Sequence, residues 1–212
     1  MKAVLLSVKS ESCKLIVSGK RTFDIRKTKP KLETPFKVYI YCTKDKPILG
    51  KYSIDNSLKE YPESDFDYYN RDTLFRANGR VIGEFICDYT LGRCNSSNAD
   101  IAEQYGFIKR EKLFEYAKGK ELFGWHISNL IIYDKPRDLI DFCNTDLEAI
   151  KQCKYRERVY INPIYTNNAL LPGSYICNQR DAEWCAKCKM KPIVAPPQSW
   201  CYVQERVELD EV

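Results

Sequence analysis

A single histidine, His126, stands in the 212 residues. With one imidazole, a histidine-rich metal site and a two-histidine ribonuclease mechanism are both excluded. Glycine is scarce as well, with nine in all. None falls in the spacing of a phosphate-binding loop, a dinucleotide fingerprint or a serine elbow, which argues against an ATPase. No apolar run approaches the ~20 residues that a membrane helix needs. The opening MKAVLLSVKSESCK offers only residues 3–6 before polar groups intervene, so no secretory leader is expected. A cytoplasmic chain with no membrane partner is the expectation. There is no internal repeat and no low-complexity tract.

The remaining composition permits an ordinary globule. Hydrophobic residues make up 44%, enough for a core, and charged residues 30%. A net charge of +5 permits an anionic partner without demanding one. Ten cysteines are many for a reducing compartment, where thiols stay free. Cys13, Cys42 and Cys87 lie among apolar neighbours and read as small core residues.

One stretch organises the rest: SGKRTFDIRKTK, residues 18–29. Its glycine can end a helix and set a turn. The residues after that glycine alternate as a strand does, placing Arg21, Phe23 and Ile25 on one face. Lys20, Thr22, Asp24 and Arg26 fall on the other, an acid, a hydroxyl and cations spaced along one rib. Such a row can grip a phosphate or polarise a carbonyl. It can equally be an exposed basic strand with one internal ion pair.

In chain order, 2–8 reads as a strand and 10–17 as a helix, with Cys13, Ile16 and Val17 at helical spacing. Residues 36–42, FKVYIYC, form a strong strand. Residues 44–78 are acidic and Tyr-rich and read as an inserted loop or hairpin. A strand is expected within 79–89, helices within 99–120 split at Gly106, and a strand or strand pair over 122–133 ended by Pro136. A cysteine-bearing, proline-rich insertion, 151–197, precedes a last strand within 199–207. Short strands dominate, so the fold class is α+β, strand-rich, with a small closed barrel as the natural architecture.

The helix ending in Gly19 and the KRTFDIRK stretch after it resemble the signature of the ASCH domain family of the PUA-like superfamily. That pattern is a glycine, one residue, a lysine, two residues, a glutamate, one residue, an arginine. VIGEF (81–85), GWHI (124–127) and PPQSWCYV (196–203) fit as well, and together they resemble ASCH proteins of Firmicutes and their phages. The resemblance implies a single domain over 1–212: a small PUA-like β-barrel with flanking helices and a loop-rich insertion. It leaves 44–78 and 155–190 outside the shared pattern. It also implies binding of RNA or a nucleotide-like ligand in a cleft beside the barrel. Some members are enzymes, an amidohydrolase of acylated cytidine and a ribonuclease among them.

Two positions depart from the pattern. Arg21 stands where lysine is expected, with Lys20 one place early, and Asp24 stands for glutamate. Arginine cannot act as a base at neutral pH, so an anion-binding pocket survives these changes better than a catalytic one. The binding set is Lys20, Arg21, Asp24, Arg26, Lys27, Tyr41, Trp125 and His126. In it Arg26 and Lys20 hold phosphate or a base edge, Asp24 accepts from a base amine or orients Arg26, and Trp125 stacks. Trp125 and Trp200 can instead simply fill the barrel. The enzymatic alternative, a metal-independent ribonuclease or small-amide hydrolase, uses Lys20, Asp24 and Glu103, the acid coming from the helical segment. A third reading has the acidic insertion bind a host protein. Cys177, Cys185, Cys188 and Cys201, spaced C-x7-C-x2-C-x12-C, could hold a structural zinc ion, with Cys143 and Cys153 as substitutes for the outer ligands.

Overall fold

A strand that is apolar on both faces must be covered twice, and KAVLLSV is such a strand. The computed structural model describes residues 2–45, 47–52, 57–68, 74–92, 99–106, 108–144, 159–160, 176–177, 191–193 and 195–204. In it β1 (Lys2–Val8) is buried from Ala3 through Val8. Helix α1 (Ser10–Val17) and strand β2 (Phe23–Arg26) cross over from β1 to β3 (Phe36–Cys42), which runs parallel to it with Leu5 opposite Tyr39.

The chain continues through β4 (Leu49–Tyr52), β5 (Leu58–Glu60), α2 (Glu63–Tyr68), β6 (Leu74–Arg76), β7 (Val81–Cys87) and β8 (Thr90–Leu91). Then come α3 (Ala99–Gly106), α4 (Arg110–Ala117), β9 (Phe123–His126), β10 (Ser128–Arg137), a 3-10 turn at Leu139–Asp141 and β11 (Cys143–Asn144). Short strands β12 (Val159–Tyr160), β13 (Ile176–Cys177) and β14 (Lys191–Pro192) precede β15 (Trp200–Gln204). The main sheet has the order β10-β7-β3-β1-β15. A second sheet runs β2-β9-β8 and a third β5-β4-β6, with two-stranded ribbons β11-β14 and β12-β13. The architecture is the sheet-dominant α+β one expected. Among the described residues the strands hydrogen-bond as separate sheets rather than as one closed ring.

Both faces of the main sheet are covered. Val4, Leu6 and Val8 pack with Val38, Ile40, Phe85 and Trp125 on one side. Ala3 and Leu5 pack with Tyr39, Tyr41, Val81 and Val203 on the other. The second sheet has its own apolar face, where Phe23 and Ile25 meet Leu113 and Leu122 beneath the α3–α4 pair. Asp24, between them in sequence, therefore faces inward, towards the first side of the main sheet. No helix among the described residues is long and apolar enough to cross a membrane.

Three expectations need correction. The 44–78 insertion is not a loop or hairpin: β4, β5 and β6 form an antiparallel sheet, with α2 between β5 and β6. Its strands each bury one leucine, Leu49, Leu58 and Leu74, worth about 1.5–3 kcal/mol apiece. The Asn78 amide nitrogen donates to the carbonyls of Thr43, Asp45 and Pro47 at 3.2, 3.0 and 3.1 Å, and its oxygen accepts from the Leu49 amide. Strand β2 is shorter than its alternation implies and begins at Phe23. Pro136 does not end β10, which runs on to Arg137 across an irregular register. As the outermost strand of its sheet β10 can carry a proline without a lost ladder bond. Cys185 and Cys188 lie outside the described residues.

Lys51 joins the third sheet to β10. Its side chain is 0% exposed, donates from Nζ to the Tyr133 carbonyl and stands 3.9 Å from Asp134 Oδ1. Burial pulls its pKa below 10.5, with the Asp134 carboxylate opposing. A depressed lysine costs stability at neutral pH, and the cost is relieved as pH climbs through the lowered value towards 10.5. Lys51→Met is therefore expected to be at least as stable as the native chain at pH 7 in urea denaturation, its advantage shrinking at alkaline pH. A variant clearly weaker at pH 7 would show that the Tyr133 contact outweighs desolvation.

Candidate functional site

The turn after α1 decides where the motif side chains go. Ser18 caps the helix through its amide, Gly19 takes φ +70°, and its N–H donates to the Ile16 carbonyl at 2.9 Å. A left-handed residue there favours glycine. The Arg21 amide then donates back to the Leu15 carbonyl at 3.0 Å. Arg21 is thus still part of the turn, and strand alternation does not reach it. Its side chain lies on the Asp24 side, not on the Phe23 side that simple alternation gives.

Three charges meet as a result. Arg21 donates from Nη2 to Asp24 Oδ1 at 2.9 Å, from Nη1 to Ser12 Oγ at 2.9 Å and from Nε to the Phe23 carbonyl at 3.0 Å. Arg26 donates from Nε to the other Asp24 oxygen at 2.5 Å. Its Nη2 reaches the Ser7 carbonyl at 2.7 Å and its Nη1 the Ser199 hydroxyl at 3.3 Å. Ser7 Oγ in turn donates to the Pro197 carbonyl at 2.6 Å. The Asp24 side chain is 1% exposed and that of Arg26 12%. One carboxylate between two guanidiniums leaves a surplus positive charge in a poorly hydrated place. Burying ions costs several kcal/mol each unless they are paired and hydrogen-bonded. Among the described residues the pairing is complete for the acid and one charge short for the arginines.

The other expected residues distribute around this network. Lys20 is exposed at the head of the strand. Lys27 lies over the Tyr116 ring of α4 at 4.7 Å, and Lys29 over Phe123 at 5.8 Å. Trp200 donates from Nε1 to Thr28 Oγ1 at 3.0 Å, so 27–29 is held along an aromatic edge. Trp125 is fully buried between Phe36 and Trp200. Tyr41 sits 2% exposed in the far core of the main sheet, where burial pushes its phenol up, and is not brought to Asp24. Glu103 is exposed on α3 and accepts from the Arg110 amide at 3.3 Å, which occupies it at the start of α4.

His126 is on the opposite face of β9 from Trp125. Its Nδ1 donates to Asp88 Oδ1 at 2.6 Å, and its ring stacks on Tyr89 at 4.5 Å and 24°. Phe23 borders it at 4.9 Å. The expected residues therefore fall in two places, with Arg21, Asp24 and Arg26 in one and His126 in the other. Ser7, Ser12, Ser199, Asp88 and Tyr89 complete these places, and sequence reasoning does not single them out. The only available signal is a serine interrupting the apolar run AVLLSV.

A cavity of about 500 Å³ lies elsewhere, lined by Lys44, Asp45, Glu63, Arg76, Arg80 and Asp138 among others. Its charges largely cancel, with Arg76 on Glu63 at 3.3 Å and Arg80 on Asp138 at 3.1 Å. Of the zinc candidates, Cys201 is a free, half-buried thiol pushed up by burial to about 11. Cys177 belongs to β13, and no cluster of metal-ligating side chains occurs among the described residues.

No protein-family model matches the chain, and no curated protein matches it significantly. Among solved structures it is similar to ASCH from Zymomonas mobilis, with TM-score 0.44, 15% identity, and coverage of 96% of this chain and 88% of that one. Two mutant forms of that protein give TM-scores of 0.43 and 0.42 at 16% identity, covering 97% and 96% of this chain and 93% and 89% of theirs.

Two outcomes test the electrostatics. Asp24→Asn leaves two guanidiniums without a countercharge and is expected to cost about 3–5 kcal/mol in urea denaturation at pH 7. A loss below about 1 kcal/mol, the worth of an exposed pair, would show that the arginines need no carboxylate. At Asp88, partial desolvation pushes the carboxyl up, but the His126 hydrogen bond and the amides of Asp88 and Tyr89 hold it below 3.8. The stability this gives is complete above 3.8 and is lost as pH falls through the lowered value. The gap in Tm between Asp88→Asn and the native chain should therefore close in acid.

Proposed function

We propose that the Arg21–Asp24–Arg26 network and the lysines beside it bind RNA or a nucleotide-like ligand through its phosphate. The observation that carries this reading is the surplus cation: among the described residues the buried Arg21 and the partly buried Arg26 share one carboxylate, and Asp24 has both oxygens engaged. An anion is what that arrangement lacks. Lys27 and Lys29, held over the Tyr116 and Phe123 rings, supply further positive charge beside Arg26, and Lys20 and Lys31 are close to them in sequence. Phosphate contacts of this kind position a ligand without reading sequence.

Hydrolysis by Lys20, Asp24 and Glu103 has less support, since Glu103 is occupied at α4 and Asp24 by two arginines. An enzymatic role has its own observation in His126, whose Nδ1 is held by Asp88 at 2.6 Å, leaving Nε2 as the acceptor. Turnover of RNA or acylated nucleosides that vanishes in His126→Ala would support it.

Titration with short RNAs, single-stranded DNA and mononucleotides at two salt concentrations tests the binding reading. Lys20→Glu with Lys27→Glu, both outside the buried network, should weaken oligonucleotide binding at least about tenfold at low salt and flatten its salt dependence. Salt-tolerant saturation by a mononucleotide would identify a closed small-ligand cleft. Silence across the panel would remove the reading.

A further inference from the structure

Trp125 has a polar atom that no described residue satisfies. An indole N–H is a donor only, and buried tryptophans nearly always find it an acceptor. Trp125 is 0% exposed, yet its Nε1 has no hydrogen-bond partner among the described residues. Trp200 is the contrast, since its Nε1 donates to Thr28 at 3.0 Å.

The place of that indole in the sheet matters. In the antiparallel β2–β9 pair Trp125 is directly opposite Asp24, so the two side chains stand on one face, roughly 5 Å apart at Cβ. The Trp125 ring also lies 5.8 Å from Trp200, the residue after Ser199, whose hydroxyl meets Arg26. Trp125, Asp24, Arg26 and Ser199 thus converge from two strands and the turn before β15.

The polar inventory there is one-sided. Arg26 carries five N–H donors and commits three, to Asp24, Ser7 and Ser199. The acid among them is already shared between two guanidiniums. What remains on Arg26 is two donors, and among the described residues one positive charge is uncompensated. A ligand group that suits them accepts hydrogen bonds and is anionic.

We infer that Trp125 Nε1 is a ligand-binding donor, and that with Arg26 it takes a phosphoryl oxygen of the nucleotide-like ligand. This rests on the binding reading above and deepens it. The role expected of Trp125 changes accordingly: it holds an oxyanion by its edge and does not stack on a base by its face. The oxyanion reaches it from the Arg26 side, the partly exposed end of the network.

The test is calorimetric titration of the full chain with inorganic phosphate, adenosine 5′-monophosphate and adenosine. Trp125→Phe keeps an aromatic ring and deletes the donor. Loss of one hydrogen bond to a charged acceptor should weaken phosphate and monophosphate roughly ten- to a hundredfold and leave adenosine unchanged. Equal phosphate affinity in the variant overturns the inference while leaving the binding reading intact. Failure of the native chain to bind phosphate or monophosphate removes the binding reading itself. Should Trp125→Phe not fold, the Trp184→Phe/Trp200→Phe double variant retains a single indole, that of Trp125. Its Nε1–H resonance should move on saturation with phosphate, and a resonance that stays put overturns the assignment.

Discussion

Asp24 is the constraint on which the local structure depends. It is the one acid within reach of Arg21 and Arg26 in the described network, and it reaches both only because the chain leaves α1 through a left-handed glycine. Moved one residue along the strand, it would face the apolar Leu113 and Leu122 beneath the helices. The backbone of β1 is drawn into the same arrangement, since Arg26 uses the Ser7 carbonyl as its third fixed point. A buried charge cluster of this kind contributes little net stability over an apolar core, but it tolerates very few alternative arrangements. Its value here is positional.

That position lies between two sheets with different duties. The main sheet is packed on both faces and supplies a rigid wall. The β2–β9–β8 sheet turns its apolar face to the helices and its polar rib to that wall. The charged site is consequently enclosed, while the lysines of 27–31 remain at its edge. His126, on the other face of β9, belongs to a separate and more exposed surface with Asp88 and Tyr89.

Much of the framework is legible in the residues. FKVYIYC, the helix over 10–17 and the split near Gly106 can be read because periodicity and punctuation agree there. The insertion escapes such a reading because its acidic residues mask three well-spaced leucines that only matter once paired across strands. In the site, alternation places Asp24 and Arg26 together. It puts Arg21 on the wrong side, since it does not hold in a turn whose geometry is set by hydrogen bonds to α1. Tyr41 cannot be separated from Tyr39 or Trp125 by sequence, because a strand buried on both faces offers no polar face to mark the outside. Ser7 and Ser199 are invisible for another reason: their partners are far away along the chain.

That distance shapes how the molecule is made. Ser7 and Pro197, joined by a hydrogen bond, are 190 positions apart, and β1 pairs with β15 from Lys2↔Gln204 to Leu6↔Trp200. During synthesis α1 and the inserted sheet can form early from neighbouring residues, but β2 waits for β9, and Arg26 gains its Ser199 contact only when β15 closes the edge of the main sheet. Contacts this non-local are slow to form. The chain therefore carries Arg26 through most of its synthesis without the Ser199 partner, and the charged network is complete only once β15 has docked.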